Sequence, residues 1–187
     1  MLPRRFTTKI DQCHRGWLGQ ALGIPKAGHN GIDLVNDFFA VELKAKLKAK
    51  DYSINFAVNA DQVNDFPQTY GERQYYWAFM KYTLSKPVCE VVERDDLEQL
   101  VTSREVWCLP WTWVQSFPIS YPKRSGPFRY VPIKQLPKKE TMTIFEQGKG
   151  KIYAPRDTDL EALLINRALS YAQEEDQNTS FYYEEES

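Results

Sequence analysis

Histidine, cysteine and glycine are scarce in this chain: of 187 residues, two are His, three are Cys and nine are Gly. Cys13, Cys89 and Cys108 are odd in number and far apart, so they read as reduced thiols in a cytosolic setting rather than a disulfide framework. No Cys/His group has the spacing of zinc ligands. There is no phosphate-binding glycine loop and no internal repeat. Nor is there an apolar run of the roughly 18 residues that mark a membrane helix. The segment Met1-Leu2-Pro3-Arg4-Arg5 lacks the apolar centre of a secretory signal. These absences point to a cytoplasmic protein with no membrane partner.

What is present is a core-forming composition, with 42% hydrophobic and 14% aromatic residues. Length predicts one domain, residues 1–172, followed by an acidic flexible tail at 173–187. The net charge of −1 conceals an asymmetry. Residues 1–50 carry a balance of +5 and residues 121–151 one of +6, whereas residues 157–187 carry −8. A basic body of this kind suits a phosphate backbone, although charged surfaces are common in any soluble protein.

The most informative stretch runs from Gly31 to Lys44. Asn36-Asp37 suits a two-residue hairpin turn, since both residues tolerate positive φ. That turn pairs Leu34 with Phe39, Asp33 with Ala40 and Gly31 with Glu42. Alternation then places Ile32, Leu34, Phe39, Val41 and Leu43 on an apolar face. The opposite face carries Asp33, Glu42 and Lys44, with the two acids as diagonal neighbours. Paired carboxylates repel unless neutralised, and a hard cation such as Mg²⁺ neutralises them while activating a water. An ammonium on the same face can orient that water or offset transition-state charge.

Asp33 followed by Glu42-Leu43-Lys44 resembles the signature of the restriction-endonuclease-like, PD-(D/E)xK nuclease superfamily. Ile32 stands where the family name has proline. The resemblance covers roughly residues 8–85 and implies a hairpin behind an N-terminal helix, with a helix and further strands after it. It implies that Asp33, Glu42 and the Leu43 carbonyl hold Mg²⁺, with Mn²⁺ as a substitute, and that Lys44 assists the water. It also makes Asp11 a candidate further ligand, as the one acid before Asp33. An acid early in a helix is favoured by the dipole in any case.

Around this hairpin, Thr8–Leu22 reads as a helix with Ile10, Cys13, Trp17 and Ala21 apolar, ended by Gly23 and Pro25. His14 reads as a packing or surface residue, and His29 as a loop residue within reach of a phosphate. Lys44, Lys46, Lys48 and Lys50 alternate with apolar residues, so a strand would align them as a basic ribbon. Their composition also suits a helix, and a lysine-rich edge also blocks strand pairing. Residues 53–66 hold a strand or helix; the resemblance implies a polar residue near the site on the helix after the motif, for which Gln62 is the best match, the alternative being a surface glutamine. Gln74–Leu84 reads as a core strand, Asp95–Thr102 as a short helix, and Val106–Ser116 as a strand interrupted by Pro110. The segment 117–139 reads as an irregular loop in which Lys123, Arg124 and Arg129 alternate with aromatics. It serves either to grip DNA or as a stiff surface loop. Asp159–Ala172 reads as a final helix capped by Thr158 or Asp157.

The expected fold is α/β: a restriction-endonuclease-like core with a mixed β-sheet flanked by helices, a C-terminal helix and an acidic tail. The expected function is Mg²⁺-dependent DNA endonuclease, most nearly of restriction type. A Holliday-junction-resolving or DNA-repair nuclease and a non-catalytic nucleic-acid-binding protein are the alternatives. Cutting both strands with one site per chain calls for a homodimer or a partner subunit.

Overall fold

The computed structural model describes residues 4–28, 31–48, 55–91, 96–123 and 126–170. It is a mixed α/β structure whose six-stranded mixed sheet is flanked by helices. Helix α1 (Arg4–Leu22) buries Phe6, Ile10, His14, Leu18 and Leu22. These residues recur every four positions and form one stripe. Of the predicted apolar positions Ile10 and Ala21 are buried, whereas Cys13 and Trp17 are only half-buried and the neighbouring His14 and Leu18 take the core positions. The helix ends at Gly23, whose positive φ of 67° lets Ile24 N–H return to the Gly19 carbonyl at 2.9 Å.

The hairpin follows as β1 (Leu34–Val35) and β2 (Phe39–Leu47). Its register differs from the expected one by two residues, since Leu34 pairs with Val41 and Val35 with Ala40. The cause is Asn36. Its side-chain oxygen accepts from Phe38 N–H (2.9 Å) and Phe39 N–H (2.7 Å), so Asn36 opens a longer asparagine turn instead of sitting inside a two-residue one. A two-residue slip preserves side-chain parity, so Leu34, Phe39, Val41 and Leu43 still share one core. Ile32 does not join them. It lies before β1, next to Gly31 at φ 132°, where strand alternation does not apply, and it packs into the core on the opposite face.

The chain continues through β3 (Asn55–Asn59) and α2 (Ala60–Tyr70), which Asn59 caps by accepting from Asp61 N–H at 2.9 Å. It then enters β4 (Gln74–Leu84), parallel to β2. Two four-residue helices, α3 (Val88–Val91) and α4 (Leu97–Leu100), lead to β5 (Val101–Pro110), antiparallel to β4. The predicted strand at 106–116 is therefore split. Pro110 closes β5, and Trp111–Ser116 turns as a 3₁₀ helix because proline cannot extend the ladder.

The segment 117–139 is less irregular than expected. It contains β6 (Ile119–Ser120) and β7 (Phe128–Pro132), which join β3 in a small antiparallel sheet ordered β3-β7-β6. The hairpin of β8 (Met142–Gln147) and β9 (Gly150–Pro155), unanticipated from sequence, turns at Gly148-Lys149. The main sheet is ordered β1-β2-β4-β5-β9-β8. Helix α5 (residues 159–170) follows, with the Thr158 hydroxyl accepting from Glu161 N–H at 3.2 Å. The tail at 173–187, His29 and the first two residues of the predicted 53–66 element lie outside the described residues.

One sheet face packs on α1 and α5 through Leu18, Leu22, Val41, Met80, Leu160 and Leu164. The other packs under α2 and the small sheet through Phe56, Val63, Trp77, Phe79, Trp107 and Trp111. Among the described residues, no helix is long and apolar enough to cross a membrane.

Candidate active site

The corrected register brings the two acids closer than expected. Continuing the Leu34–Val41 pairing by one step sets Asp33 level with Glu42, directly across rather than diagonal. Asp33 is held from three sides. Its carbonyl accepts from Ala27 N–H at 2.9 Å. Carboxylate Oδ2 accepts from Leu43 N–H at 2.7 Å, and Oδ1 meets Arg15 Nε at 2.9 Å. In a strand, a residue's N–H and C=O point to the same side. The Leu43 carbonyl therefore faces the edge that carries Asp33.

Glu42 is 4% exposed. Its Oε1 accepts from Lys44 Nζ at 2.6 Å, while Oε2 is buried with no hydrogen-bond partner. Lys44 reaches Gln62 Oε1 on α2 at 3.4 Å and lies 5.8 Å from the centre of the Trp77 ring. Both carboxyl groups titrate above their ordinary range. Burial pushes Glu42 up to about 7, with Lys44 opposing and the Asp33 charge adding to the rise. Burial likewise raises Asp33, against the pull of Arg15 and the Leu43 N–H. Asp11 is raised by burial, with Arg15 opposing and Asp33 reinforcing.

These groups border a cleft of about 260 Å³ lined by Asp11, Arg15, Glu42, Lys44, Lys46 and Phe56, among others. Asp33, Glu42, Lys44, Asp11, Lys46 and Gln62 therefore come together from α1, the hairpin and α2. Lys48 lies just past β2 at a separate depression. Lys123 is exposed on the segment between β6 and β7. Arg129 turns inward, donating to the Phe117 carbonyl and, at 3.1 Å, to that of Gln115. Lys50 and Arg124 lie outside the described residues.

Arg15 and Tyr70 escaped the sequence reading. Arg15 stands four residues after Asp11, hence on the same helix face, and that spacing was the available signal. Tyr70 accepts a hydrogen bond from Ile32 N–H at 3.3 Å, a contact between residues 38 apart that no local pattern reveals.

Among the described residues, no three His, Cys, Asp or Glu side chains are grouped to hold a metal ion. Mg²⁺ does not require such a cage; it is commonly bound through one or two carboxylates, waters and substrate phosphates. The buried, unpartnered Glu42 Oε2 beside Asp33 fits that kind of ligation. Comparison of the chain with known protein families, with curated proteins and with solved structures finds no match.

Proposed function

We propose that this protein is a Mg²⁺-dependent DNA endonuclease of the PD-(D/E)xK kind, most nearly of restriction type. The observation that carries this reading is the buried pair Asp33, just before β1, and Glu42, on β2, with Lys44 on the same face. The order helix, hairpin, helix and parallel strand, formed by α1, β1–β2, α2 and β4 with β3 of the small sheet between β2 and α2, supports a restriction-endonuclease-like core.

Asp33, Glu42 and the Leu43 carbonyl would hold Mg²⁺, or Mn²⁺ in its place. Bound there, the ion would supply a water of lowered pKa and positive charge against the phosphate oxygens. Lys44 directs its ammonium at Glu42, and Gln62 and Trp77 keep it from swinging away. From that position it offsets negative charge gathering on the scissile phosphate. Arg15 holds Asp33 in place, and Lys46 extends the positive field along the cleft.

One set of contacts favours a second reading, a non-catalytic nucleic-acid-binding protein. Arg15 and Lys44 already neutralise the two carboxylates, as structural ion pairs would. Nicking of supercoiled plasmid separates the readings. A nuclease converts plasmid only when Mg²⁺ is supplied. Glu42→Ala and Lys44→Ala should each lose at least about 100-fold in rate, the usual scale for such groups. Failure of the pure wild-type protein to cut supercoiled, linear or branched DNA with Mg²⁺ or Mn²⁺ would reject the nuclease reading. Unimpaired cutting by both variants would reject the site.

A further inference from the structure

A second depression of about 410 Å³ opens on the same sheet face, at the C-terminal ends of β2 and β4. Strand β2 connects the two clefts: Lys44 and Lys46 line the first and Lys48 the second. The three lysines alternate along the chain and so point to one side. Strand pairing carries the row onward, with Lys46 beside Lys81, Lys81 beside Glu105, and Glu105 beside Lys151.

Not all of this charge is available. Glu105 is shared by Lys81 and Lys139, and Lys151 meets Glu146 at 2.6 Å. Arg104 borders the depression but is committed to Glu98 and to His14. Lys48 and Lys149 differ. Among the described residues neither has a carboxylate partner, and Lys149 Nζ donates only to the Gln99 carbonyl, at 3.2 Å. The position of Lys149 is nevertheless fixed. It sits in the β8–β9 turn, and its carbonyl accepts from Arg104 N–H at 2.9 Å. Between the two lysines lie the Thr83 and Ser103 hydroxyls, 2.6 Å apart, which can donate to anionic oxygens.

Two ammonium groups that have no carboxylate partner among the described residues, over a hydroxyl floor continuous with the first cleft, match a repeating polyanion. We propose that this second cleft holds backbone phosphates of the duplex whose scissile phosphate lies at Glu42. The proposal rests on the nuclease reading for its register but not for its binding. Lys48 is six residues beyond Glu42 on an extended chain, about 20 Å away. That distance spans roughly six base pairs of rise along a duplex axis. The duplex therefore follows β2 and is held at both ends of it.

The test is fluorescence anisotropy of a labelled duplex about 20 base pairs long, in EDTA, from about 50 to 200 mM salt. Wild type is compared with Lys48→Gln/Lys149→Gln and with Lys48→Arg/Lys149→Arg. Each lost phosphate contact removes about 0.9 from the slope of log K against log salt. The Gln pair should therefore lose about 1.8 in slope and bind roughly 60-fold more weakly at 0.1 M salt, while the Arg pair behaves as wild type. Should the Gln pair melt early, the single Gln variants carry the test, at about 0.9 each. A slope loss of less than half the expected value, or no duplex binding by wild type, overturns the proposal. Plasmid cutting by wild type keeps the two readings distinct. Cutting with an unchanged slope sinks the second cleft alone, whereas a reduced slope without cutting sinks the nuclease and leaves a DNA-binding cleft.

Discussion

Glu42→Gln should stabilise the protein at alkaline pH while abolishing cleavage. Glu42 ionises near 4.5 in an unfolded chain and at about 7 in the folded one. The stability owed to its protonated form is complete below pH 4.5. As pH rises from there to about 7, the unfolded state gives up its proton while the folded state keeps it, and that stability is lost. At about 1.4 kcal/mol per unit, the loss is about 3 kcal/mol by pH 8. Glutamine keeps the shape of the protonated acid and carries no charge to desolvate. The pull of Lys44 on Glu42 is already part of the folded-state value of about 7. The net gain is therefore about 3 kcal/mol at pH 8 and close to zero at about pH 4.5.

Urea unfolding in EDTA at several pH values between about 4.5 and 8 measures this difference. In a protein of this length, about 3 kcal/mol corresponds to about 6–12 °C in melting temperature. Adding Mg²⁺ supplies the converse. A ligand at about 100 times its Kd adds about 2.7 kcal/mol to the state that binds it, so wild type should gain at pH 8 and the Gln variant gain far less. Parallel pH profiles for the two proteins would refute the reasoning, because they would mean that Glu42 ionises alike folded and unfolded.

The remaining predictions concern the supports of the site. Gly31→Ala requires φ near 132°, and its Cβ would overlap the Tyr70 hydroxyl. It should cost about 1–3 kcal/mol and lower plasmid cutting by shifting Asp33; wild-type urea stability would show that Gly31 does not set the entry to β1. Glu98→Ala strands the Arg104 guanidinium, whose side chain is 0% exposed, and should cost about 3–5 kcal/mol. Arg104→Met should cost less, since Glu98 is 56% exposed and regains water; equal losses in urea unfolding would contradict that asymmetry.

Much of the candidate site was legible because it depends on parity, which short-range patterns carry well. Asp33, Glu42 and Lys44 share a face whether the turn holds two residues or four, so the wrong register still delivered the right grouping. The length of β4 was legible for a related reason: Gln74–Leu84 is dense in aromatic residues, with Tyr75, Tyr76, Trp77, Phe79 and Tyr82, and is bounded by turn formers. What failed depended on single side chains acting on distant backbone. Asn36 lengthened the turn by capping Phe38 and Phe39. Gly31 released Ile32 to the opposite core. Pairing of β7 with β3, across more than 60 residues of chain, turned part of a presumed loop into a sheet. The β8–β9 hairpin was readable in principle, since Gly148-Lys149 separates two alternating strands.

The ion pairs within the site bear on how it is held together. Two carboxylates side by side in a nearly dry hairpin would repel each other and both lose hydration. Arg15 meets one and Lys44 the other, so the folded chain is locally near neutral without any ion. The two counter-charges differ in their freedom. Lys44 is restrained by Gln62 and the Trp77 ring and lies two residues from the group it neutralises. Arg15 reaches in from α1 and is 41% exposed, so it can turn to solvent at little cost. A cation entering between Asp33 and Glu42 would therefore compete chiefly with Arg15, while Lys44 would keep its place. Helix α1 thus holds Asp33 through Arg15 in the folded chain and, on the nuclease reading, would supply the group that yields to a cation.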